Sequence, residues 1–232
     1  MPDFDDPLHY LSRGITKLHS IWVCTTYPFC ALGRGVSIHQ TCQLFRPSAR
    51  FIKLGNGVVI SKDVWLNVSR SLDGDKQPAI LIDDDVSVGR RSQISAANCI
   101  HLERDVTLAA GVLLLDHNHA YQDVSLPVRD QGITAGGSIR VGQGSFIGQG
   151  AAIVCEKGEL ILGQNCVVAA NALVTRSFPA YSVIAGNPAR LIKHFDPSNG
   201  RWALGAVTAN SKTARQPASE ESASAEDCSI HR

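Results

Sequence analysis

Two histidines and a carboxylate lie close together in the segment Asp116-His117-Asn118-His119, directly after a run of leucines. A histidine titrates near neutral pH, so it can accept a proton during a reaction and return it afterwards. Asp116 can orient an imidazole by accepting a hydrogen bond from its second nitrogen, or it can accept hydrogen bonds from the turn itself. Acid-base catalysis, metal binding and a plain polar turn all remain open on these residues alone.

The elements that must position these side chains follow a six-residue repeat. Aliphatic residues recur every six positions in runs that begin at Ile82, Leu102, Val141 and Leu162, with a small or β-branched residue four positions after each aliphatic. A helix repeats about every 3.6 residues and a strand every two, so neither explains this period as a single element. The repeat predicts a solenoid in which each hexad forms one flat side of a coil and only the stack buries a continuous core.

The flanks of the repeat divide the chain into three parts. Residues 1–50 form an N-terminal helical, capping segment, 51–195 form the solenoid domain, and 196–232 are polar enough that we expect a disordered tail. The helical segment would cap the open end of the coils, and contact with a membrane surface through residues such as Trp22 is the alternative. A loop at 116–138 interrupts the repeat, and loops that leave a rigid scaffold tend to carry function.

Composition excludes several classes of protein. The 232 residues carry 22 Lys and Arg against 21 Asp and Glu, so no strongly basic face for nucleic acid is expected. Seven scattered cysteines form no Cys-x-x-Cys pair, which predicts free thiols in a reducing compartment. No apolar run approaches the roughly 18 residues of a spanning helix, and the acidic start MPDFDDPLHY does not resemble a signal peptide. We therefore expect a cytoplasmic protein.

Two longer segments resemble a known family. SVIAGNPARLIK (182–193) is similar to the sequence that closes the helix in sugar O-acetyltransferases, and ISAANCIHLERDVTLAAGVLLLDHNHAYQDVSLP (94–127) is similar to the centre of the maltose and galactoside acetyltransferase group, especially its polysaccharide-modifying branch. The chain thus resembles the hexapeptide-repeat acyltransferases over about 50–195. The resemblance implies an all-β, left-handed parallel β-helix, a hand opposite to the usual crossover rule.

The resemblance also implies an activity and an assembly. It implies that acetyl-CoA is the acyl donor and that the acceptor is a sugar hydroxyl, on a precursor of a cell-surface polysaccharide. It implies a homotrimer with active sites between subunits. Aligned on the family, the general base falls on His119, while His117 would bind the acceptor or steady the loop and Asp116 would orient an imidazole.

Other site residues follow from the same alignment. The acetyl-CoA arm needs small residues along its path, and the phosphates need Arg and Lys donors. The family-matched positions are Ala109, Gly148 and Ala170 for the arm and Thr175, Arg176, Arg190 and Lys193 for the phosphate end, with departures at Phe146 and Gln149. Ser95, Asn98, Tyr121 and Asp123 are candidates for binding the sugar, and Asn98 has the alternative of filling the small corner position of its hexad.

Three rival interpretations stay open. Hexapeptide folds also serve zinc-dependent carbonic anhydrases, and His117, His119 and His101 could supply ligands, but no histidine pattern follows successive coils and no metal is expected. An N-acetyltransferase or a serine acetyltransferase would differ only in the acceptor. A non-catalytic β-helical scaffold that binds partners would use the fold without the chemistry.

Overall fold

Short, mostly parallel strands in three sheets form the body of the structure. The computed structural model describes residues 7–70 and 77–205. A helix, α1 (Pro7–Thr26), precedes the strands, and short 3-10 turns lie at Arg46–Phe51 and Val128–Asp130. The strands are β1 (Ala31–Leu32), β2 (Ser37–Ile38), β3 (Gln43–Leu44), β4 (Ile52–Leu54), β5 (Val59–Ile60), β6 (Trp65–Val68), β7 (Ile80–Ile82), β8 (Ser87–Val88), β9 (Gln93–Ala96), β10 (Cys99–Leu102), β11 (Thr107–Leu108), β12 (Leu113–Leu115), β13 (Ser138–Val141), β14 (Phe146–Ile147), β15 (Ala152–Val154), β16 (Glu159–Leu162), β17 (Val167–Val168), β18 (Leu173–Val174), β19 (Ser182–Ala185), β20 (Arg190–Asp196) and β21 (Arg201–Leu204).

Each strand from β1 to β18 pairs in parallel with the strand three places along the chain. The first sheet runs β1-β4-β7-β10-β13-β16, the second begins β2-β5-β8-β11-β14-β17, and the third contains β3, β6, β9, β12, β15 and β18. Three consecutive strands therefore complete one turn of a three-sided coil, and six such coils are stacked. The register is in phase, because Ile80 pairs with Ile100 and Ile100 with Ile139.

The six-residue repeat corresponds to the buried face of these strands. Ile82, Val88 and Ile94, which lie six residues apart, are fully buried on three successive sides of one coil. The predicted burial of the aliphatic residues is therefore confirmed. Most of the small residues four positions later are buried in the corners: Val86, Ser92, Val106, Val112, Ser145, Ala151, Cys166 and Ala172. Asn98 is the exception and is exposed, so the alternative that it fills a corner position is wrong.

The three corners of the coil differ in length. We call the connection from the first to the second sheet the first corner, and the connection from the second to the third sheet the second corner. Each of these connections is four residues long in every coil. Eleven of these twelve tight corners place one residue in the left-handed region, usually Gly, Asp or Asn, which tolerate it best: Gly35, Gly57, Asp85, Asp105, Gly144 and Asn165 in the first, and Asp63, Arg91, Gly111, Gly150 and Asn171 in the second. The third corner, from the third sheet back to the first, varies from two residues to the long excursion at 116–137.

The coil core should dominate stability. Replacing the fully buried Leu114 by alanine should lower the free energy of unfolding by about 2–5 kcal/mol, because the rigid neighbouring coils cannot collapse into the cavity. Urea denaturation followed by circular dichroism measures the change. Leu204→Ala is the matched control: this leucine is 80% exposed, so its loss should cost at most about 0.5 kcal/mol. Equal losses in the two variants would contradict the assigned core.

The N-terminal boundary lies earlier than predicted. Residues 1–50 were predicted to be a capping segment only, yet α1 ends at Thr26 and β1 to β3 already form a complete coil at 31–44. Leu32, Ile38 and Leu44 of this coil do keep the six-residue spacing, but Leu32 is exposed and Leu44 is only half-buried, so the prediction placed the start of the coils too late. α1 does cap the stack: the Ser20 hydroxyl accepts a hydrogen bond from the Ile38 N–H at 2.9 Å and lies 3.0 Å from the Ile38 carbonyl oxygen. The helix thereby covers an open strand edge.

The apolar side of α1 faces solvent rather than the coil. Leu11, Ile15, Leu18 and Trp22 recur at helical spacing and are all exposed. We call these four residues the apolar stripe. Among residues 7–70 and 77–205, no helix is long and apolar enough to cross a membrane.

The C-terminal end of the stack is closed by a hairpin. β19 adds in parallel to β17, and β20 and β21 then continue the second sheet in antiparallel fashion. The tail predicted for 196–232 is therefore wrong for 201–204, which pair with β20 and place Trp202 5.4 Å from the ring of Phe195. The described part of the domain thus runs beyond residue 195 to 205. The rest of the predicted tail, 206–232, lies outside the described residues.

Candidate active site

Asp116 is the buried centre of the third corner after β12. Its side chain is fully buried, and the backbone N–H groups of Ala97 and Asn98 in the preceding coil donate to its two carboxylate oxygens at 2.7 and 2.9 Å. The Nδ1 atom of His117 lies 2.8 Å from Oδ1 of the same carboxylate. The predicted alternatives for Asp116, orienting an imidazole and accepting from the turn, both hold here, because one carboxylate has enough lone pairs for all three partners.

The ring of His117 is oriented by a hydrogen bond to Asp116, as the ring of a general base often is. Because the Asp116 carboxylate accepts from Nδ1, the neutral ring carries its proton there and leaves Nε2 as the proton acceptor. Within the described part of the chain, Nε2 makes no hydrogen bond, and the side chain keeps 8% of its surface exposed. This is the arrangement that general base catalysis requires: one nitrogen fixed, the other open to a small group.

His119 lacks this arrangement. Its side chain is exposed, and its ring makes no hydrogen bond to any residue that the structure describes. Its backbone forms an isolated antiparallel bridge with Ile133 across the loop. The geometry therefore does not support the prediction that His119 is the base and favours His117. The chain leaves the strand after Leu115, so the two histidines no longer share the face that strand alternation would give them.

The loop after β12 is tied to the coil on both sides of His117. The Gly137 N–H donates to the Asp116 carbonyl at 2.7 Å, and Asn118 exchanges hydrogen bonds with Thr134 at 2.8 and 3.1 Å. The Asn118 side-chain amide also donates to Glu156 at 3.0 Å. Glu156 follows β15 at the third corner of the next coil, and it was missed by the sequence analysis, although its register relative to β12 could have indicated it.

The residues predicted to bind the sugar separate into two groups. Ser95 is buried and accepts from the Asn67 side-chain amide at 2.8 Å, while the Asn98 side chain donates to the Gly137 carbonyl at 3.0 Å; both lie beside Asp116. Tyr121 and Asp123 lie in the exposed part of the loop. Asp123 caps a local turn, where hydrogen bonds from the Ser125 side chain and backbone lower the pKa of its carboxyl group.

Cys155 is the one thiol at this corner in the described residues. Its backbone N–H donates to the Leu115 carbonyl at 3.0 Å, and its side chain is buried. Burial raises the pKa of the thiol, so it stays protonated near neutral pH and is a poor nucleophile. The corner therefore offers a base but no activated nucleophile of this type.

The small residues predicted to line the cofactor path share the second corner. Ala109, Gly148 and Ala170 stack there in successive coils; the Ala109 N–H donates to Ile147 and the Gly148 N–H to Val168, both at 2.8 Å. A Cβ at Gly148 would lie 2.6 Å from the Ala170 nitrogen, so only glycine fits. The second corner thus presents a column of small residues through which a ligand can reach the backbone. The other predicted contacts, Phe146 and Gln149, are exposed beside this column.

The residues predicted for the phosphate end lie in two places. Thr175 and Arg176 are exposed at the third corner, two coils beyond His117, and the Arg176 guanidinium lies 5.2 Å from the Phe178 ring centre. Arg190 and Lys193 are exposed on β20, in the second sheet, and Arg190 donates to the Ala189 carbonyl at 3.0 Å. One protomer does not bring these four residues together.

Metal ligands are not grouped in the described ranges. No three His, Cys, Asp or Glu side chains there are placed to hold an ion. His101, a third candidate ligand, pairs with Asp83 at 2.8 Å on the first sheet. That hydrogen bond lowers the pKa of the Asp83 carboxyl group. Because His101 lies on β10 and its ring is bound to Asp83, it serves a different part of the coil from His117.

Comparison with known proteins agrees with this fold. The family described as the hexapeptide repeat of succinyl-transferase matches residues 138–176. The solved structure of AntD, an N-acyltransferase from Bacillus cereus in complex with dTDP and 3-hydroxybutyryl-CoA, superposes with a TM-score of 0.58 at 16% identity, covering 79% of this chain and 89% of that one. At that identity the likeness concerns the fold alone.

Two curated sequences are more similar to this chain. The probable acetyltransferase Rv3034c of Mycobacterium tuberculosis is 30% identical over 163 residues, which are 70% of this chain and 49% of that protein. The putative lipopolysaccharide biosynthesis O-acetyl transferase WbbJ of Escherichia coli K12 is 25% identical over 170 residues, covering 71% of this chain and 85% of that protein. The chain spans about half the length of the mycobacterial relative.

The three-sided coil and its six-residue repeat are those of hexapeptide-repeat proteins, and Asp116 and His117 lie where that repeat is interrupted. The family match and these relatives show that the chain is similar to the hexapeptide-repeat acyltransferases.

Proposed function

We propose that this protein is an O-acetyltransferase that moves the acetyl group of acetyl-CoA to a sugar hydroxyl, with His117 as general base. The observation that carries the proposal is the buried Asp116–His117 pair, 2.8 Å apart, with Nε2 open. In this proposal His117 takes the role that the sequence analysis gave to His119. Asp116 is a positioning residue, because it acts through the ring that it holds.

The mechanism needs one histidine and no covalent intermediate. His117 Nε2 accepts the proton of the sugar hydroxyl as that oxygen attacks the thioester carbonyl. The tetrahedral intermediate collapses, the carbon–sulfur bond breaks, and the imidazolium returns the proton to the departing sulfur. The Asp116 carboxylate stabilises the imidazolium that forms in between. The raised pKa of Cys155 supports direct transfer over an acyl-cysteine route at this corner.

Acetyl-CoA would lie along the second corner. The column at Ala109, Gly148 and Ala170 lets a pantetheine arm approach the backbone closely. In one chain this corner and His117 lie at opposite ends of the strands of the third sheet. The strand that leads to His117, β12, has three residues and spans about 10 Å. We therefore propose a left-handed β-helix that assembles as a homotrimer, in which the base of one subunit faces the second corner of its neighbour.

The proposed acceptor is a polysaccharide precursor. WbbJ is named for lipopolysaccharide biosynthesis, and a mutant of AntD was solved in complex with dTDP-4-amino-4,6-dideoxyglucose and Coenzyme A. Ser95 and Asn98, beside the base, would hydrogen-bond acceptor hydroxyls. We place the protein in the cytoplasm, with peripheral membrane contact through α1, whose exposed apolar stripe supports that contact.

A thiol-release assay with acetyl-CoA tests the activity. Purified protein is incubated with nucleotide sugars, with the corresponding amino sugars and with serine, and free CoA is measured. Release that depends on a sugar lacking an amino group supports O-acetylation. Release only with an amino sugar or with serine would replace the acceptor and keep the enzyme class. No release with any acceptor, and no thermal shift with acetyl-CoA, would favour a non-catalytic scaffold.

A further inference from the structure

A groove of about 880 Å³ lies between α1 and the first two coils. One wall is the coil side of α1, including Arg13 and Lys17, and the other is formed by the first coils, including Val36, Val59 and Lys62. Ligand pockets typically range from about 300 to 1,000 Å³, so the groove has room for a small molecule. It is separate from the corner that holds His117, which does not line it.

The groove is cationic without compensation. Arg13, Lys17 and Lys62 line it, and no described residue on its walls is a carboxylate. None of the three cations forms an ion pair within the part of the chain that the structure describes. Unpaired cations beside an apolar wall favour a ligand that carries an anion and a hydrocarbon part.

His39 adds a hydrogen-bond donor with no acceptor. It is 9% exposed and lines the groove, and its Nδ1 accepts from the Thr41 N–H at 3.2 Å. The same Nδ1 lies 3.0 Å from the Thr41 hydroxyl, which already accepts from the Asp63 N–H and can donate its own proton to Nδ1. Since Nδ1 accepts, the proton of the neutral ring is on Nε2, and Nε2 is buried with no partner among the described residues. Burial and the charge of Lys62 lower the pKa of His39, so the neutral ring is the form at pH 7. An unmet buried donor costs free energy unless a ligand supplies an acceptor.

The apolar stripe continues from the groove around α1. Ile21 lines the groove and is itself exposed, and it is next on the helix to Leu18 and Trp22 of the stripe. A helix with cations on one flank and exposed apolar residues on the next is suited to the interface of an anionic bilayer. The charge of the groove favours an anionic bilayer over a symmetric contact with a second copy, because such a contact would bring the same cations face to face.

We propose that this groove binds the phosphate group of an anionic lipid, with the phosphate on Arg13, Lys17, Lys62 and the His39 Nε2–H and the hydrocarbon chain against Val36, Val59 and Ile21. The site extends the proposed membrane contact of α1. Its test measures binding and not acetyl transfer, so its failure leaves the proposed catalysis untouched, and failure of catalysis leaves this site standing.

Calorimetry with decyl phosphate, below its micelle-forming concentration, tests the site. We expect decyl phosphate to bind more tightly than inorganic phosphate, which lacks the chain, and than decyl maltoside, which lacks the charge. Lys17→Gln and Lys62→Gln should each weaken decyl phosphate binding about tenfold, the effect of one charge-assisted contact. Lys157→Gln, at an exposed lysine away from the groove, should leave it unchanged.

Vesicles distinguish a bilayer lipid from a free one. The protein should sediment with phosphatidylcholine vesicles that contain phosphatidic acid and not with pure phosphatidylcholine, and Leu18→Ser should weaken sedimentation while leaving decyl phosphate binding intact. The proposal is overturned if decyl phosphate binds no better than the two controls, or if the lysine variants bind it like wild type. It is also overturned if Leu18→Ser changes the oligomeric mass instead of vesicle binding, because the stripe then faces a second copy.

Discussion

Replacing His117 by alanine is expected to lower the kcat for sugar-dependent CoA release about a thousandfold. Removing a general base typically costs about 10²–10⁴ in rate, and His117 is the histidine at this corner whose ring is held by a buried carboxylate. The KM for acetyl-CoA should stay close to wild type, because His117 would act only at the thioester end, while the proposed column at Ala109, Gly148 and Ala170 holds the pantetheine arm. Steady-state kinetics on the purified variant give both numbers.

His119→Ala is the matched control, two residues away in the same loop. Its exposed ring makes no hydrogen bond within the described chain, so kcat should remain within about threefold of wild type. The opposite pattern, with His119→Ala inactive and His117→Ala active, would restore the base predicted from the sequence alone. A circular dichroism spectrum identical to wild type for both variants separates chemistry from folding.

Asp116→Asn should lower kcat about a hundredfold and also destabilise the protein. In one orientation the amide oxygen still accepts from Ala97 and from His117, and the NH₂ group faces the Asn98 N–H. In the other orientation the NH₂ group faces both the Ala97 N–H and the His117 ring. An NH₂ facing the ring would favour the proton on Nε2, the wrong tautomer for a base. The mismatch of buried donors should cost about 2 kcal/mol in the free energy of unfolding.

Two measurements distinguish positioning from a purely structural role for Asp116. If the carboxylate positions His117, kcat falls at temperatures well below the melting point while the KM for acetyl-CoA is unchanged. If it serves only the fold, kcat is normal wherever the variant is folded. Glu156→Gln is a comparison at the same corner: it preserves the hydrogen bond from Asn118, so it should leave kcat within a fewfold of wild type.

The sequence predicts the coil well because burial imposes the period directly. Ile82, Val88 and Ile94 each face one side of the same coil, and a polar residue at any of these positions would be buried without a partner. The first coil carries a weaker form of this signal because it lies at the end of the stack, where Leu32 is exposed and Leu44 is only half-buried. The hairpin at 190–204 escapes it because its pairing depends on β19, a partner that no local pattern indicates.

The site is less predictable than the coil. Its location, after β12 where the repeat breaks, follows from the sequence, and so does the importance of Asp116. The choice between the two histidines does not, because the direction of a side chain in a turn depends on contacts from other coils. The hydrogen bonds from Ala97 and Asn98, which are 19 and 18 residues away in sequence, hold Asp116 and thereby select His117.

The unequal corners have a consequence for how such a chain can diverge. Adding residues at the first or second corner would shift every later strand out of register, but the third corner already accommodates two residues in one coil and twenty-two in another. Loops of different length can therefore be exchanged there beyond His117, while Asp116 and His117 at the start of the loop stay held by the preceding coil. Acceptor preference is thus free to change by loop replacement while the coil that supports catalysis stays the same.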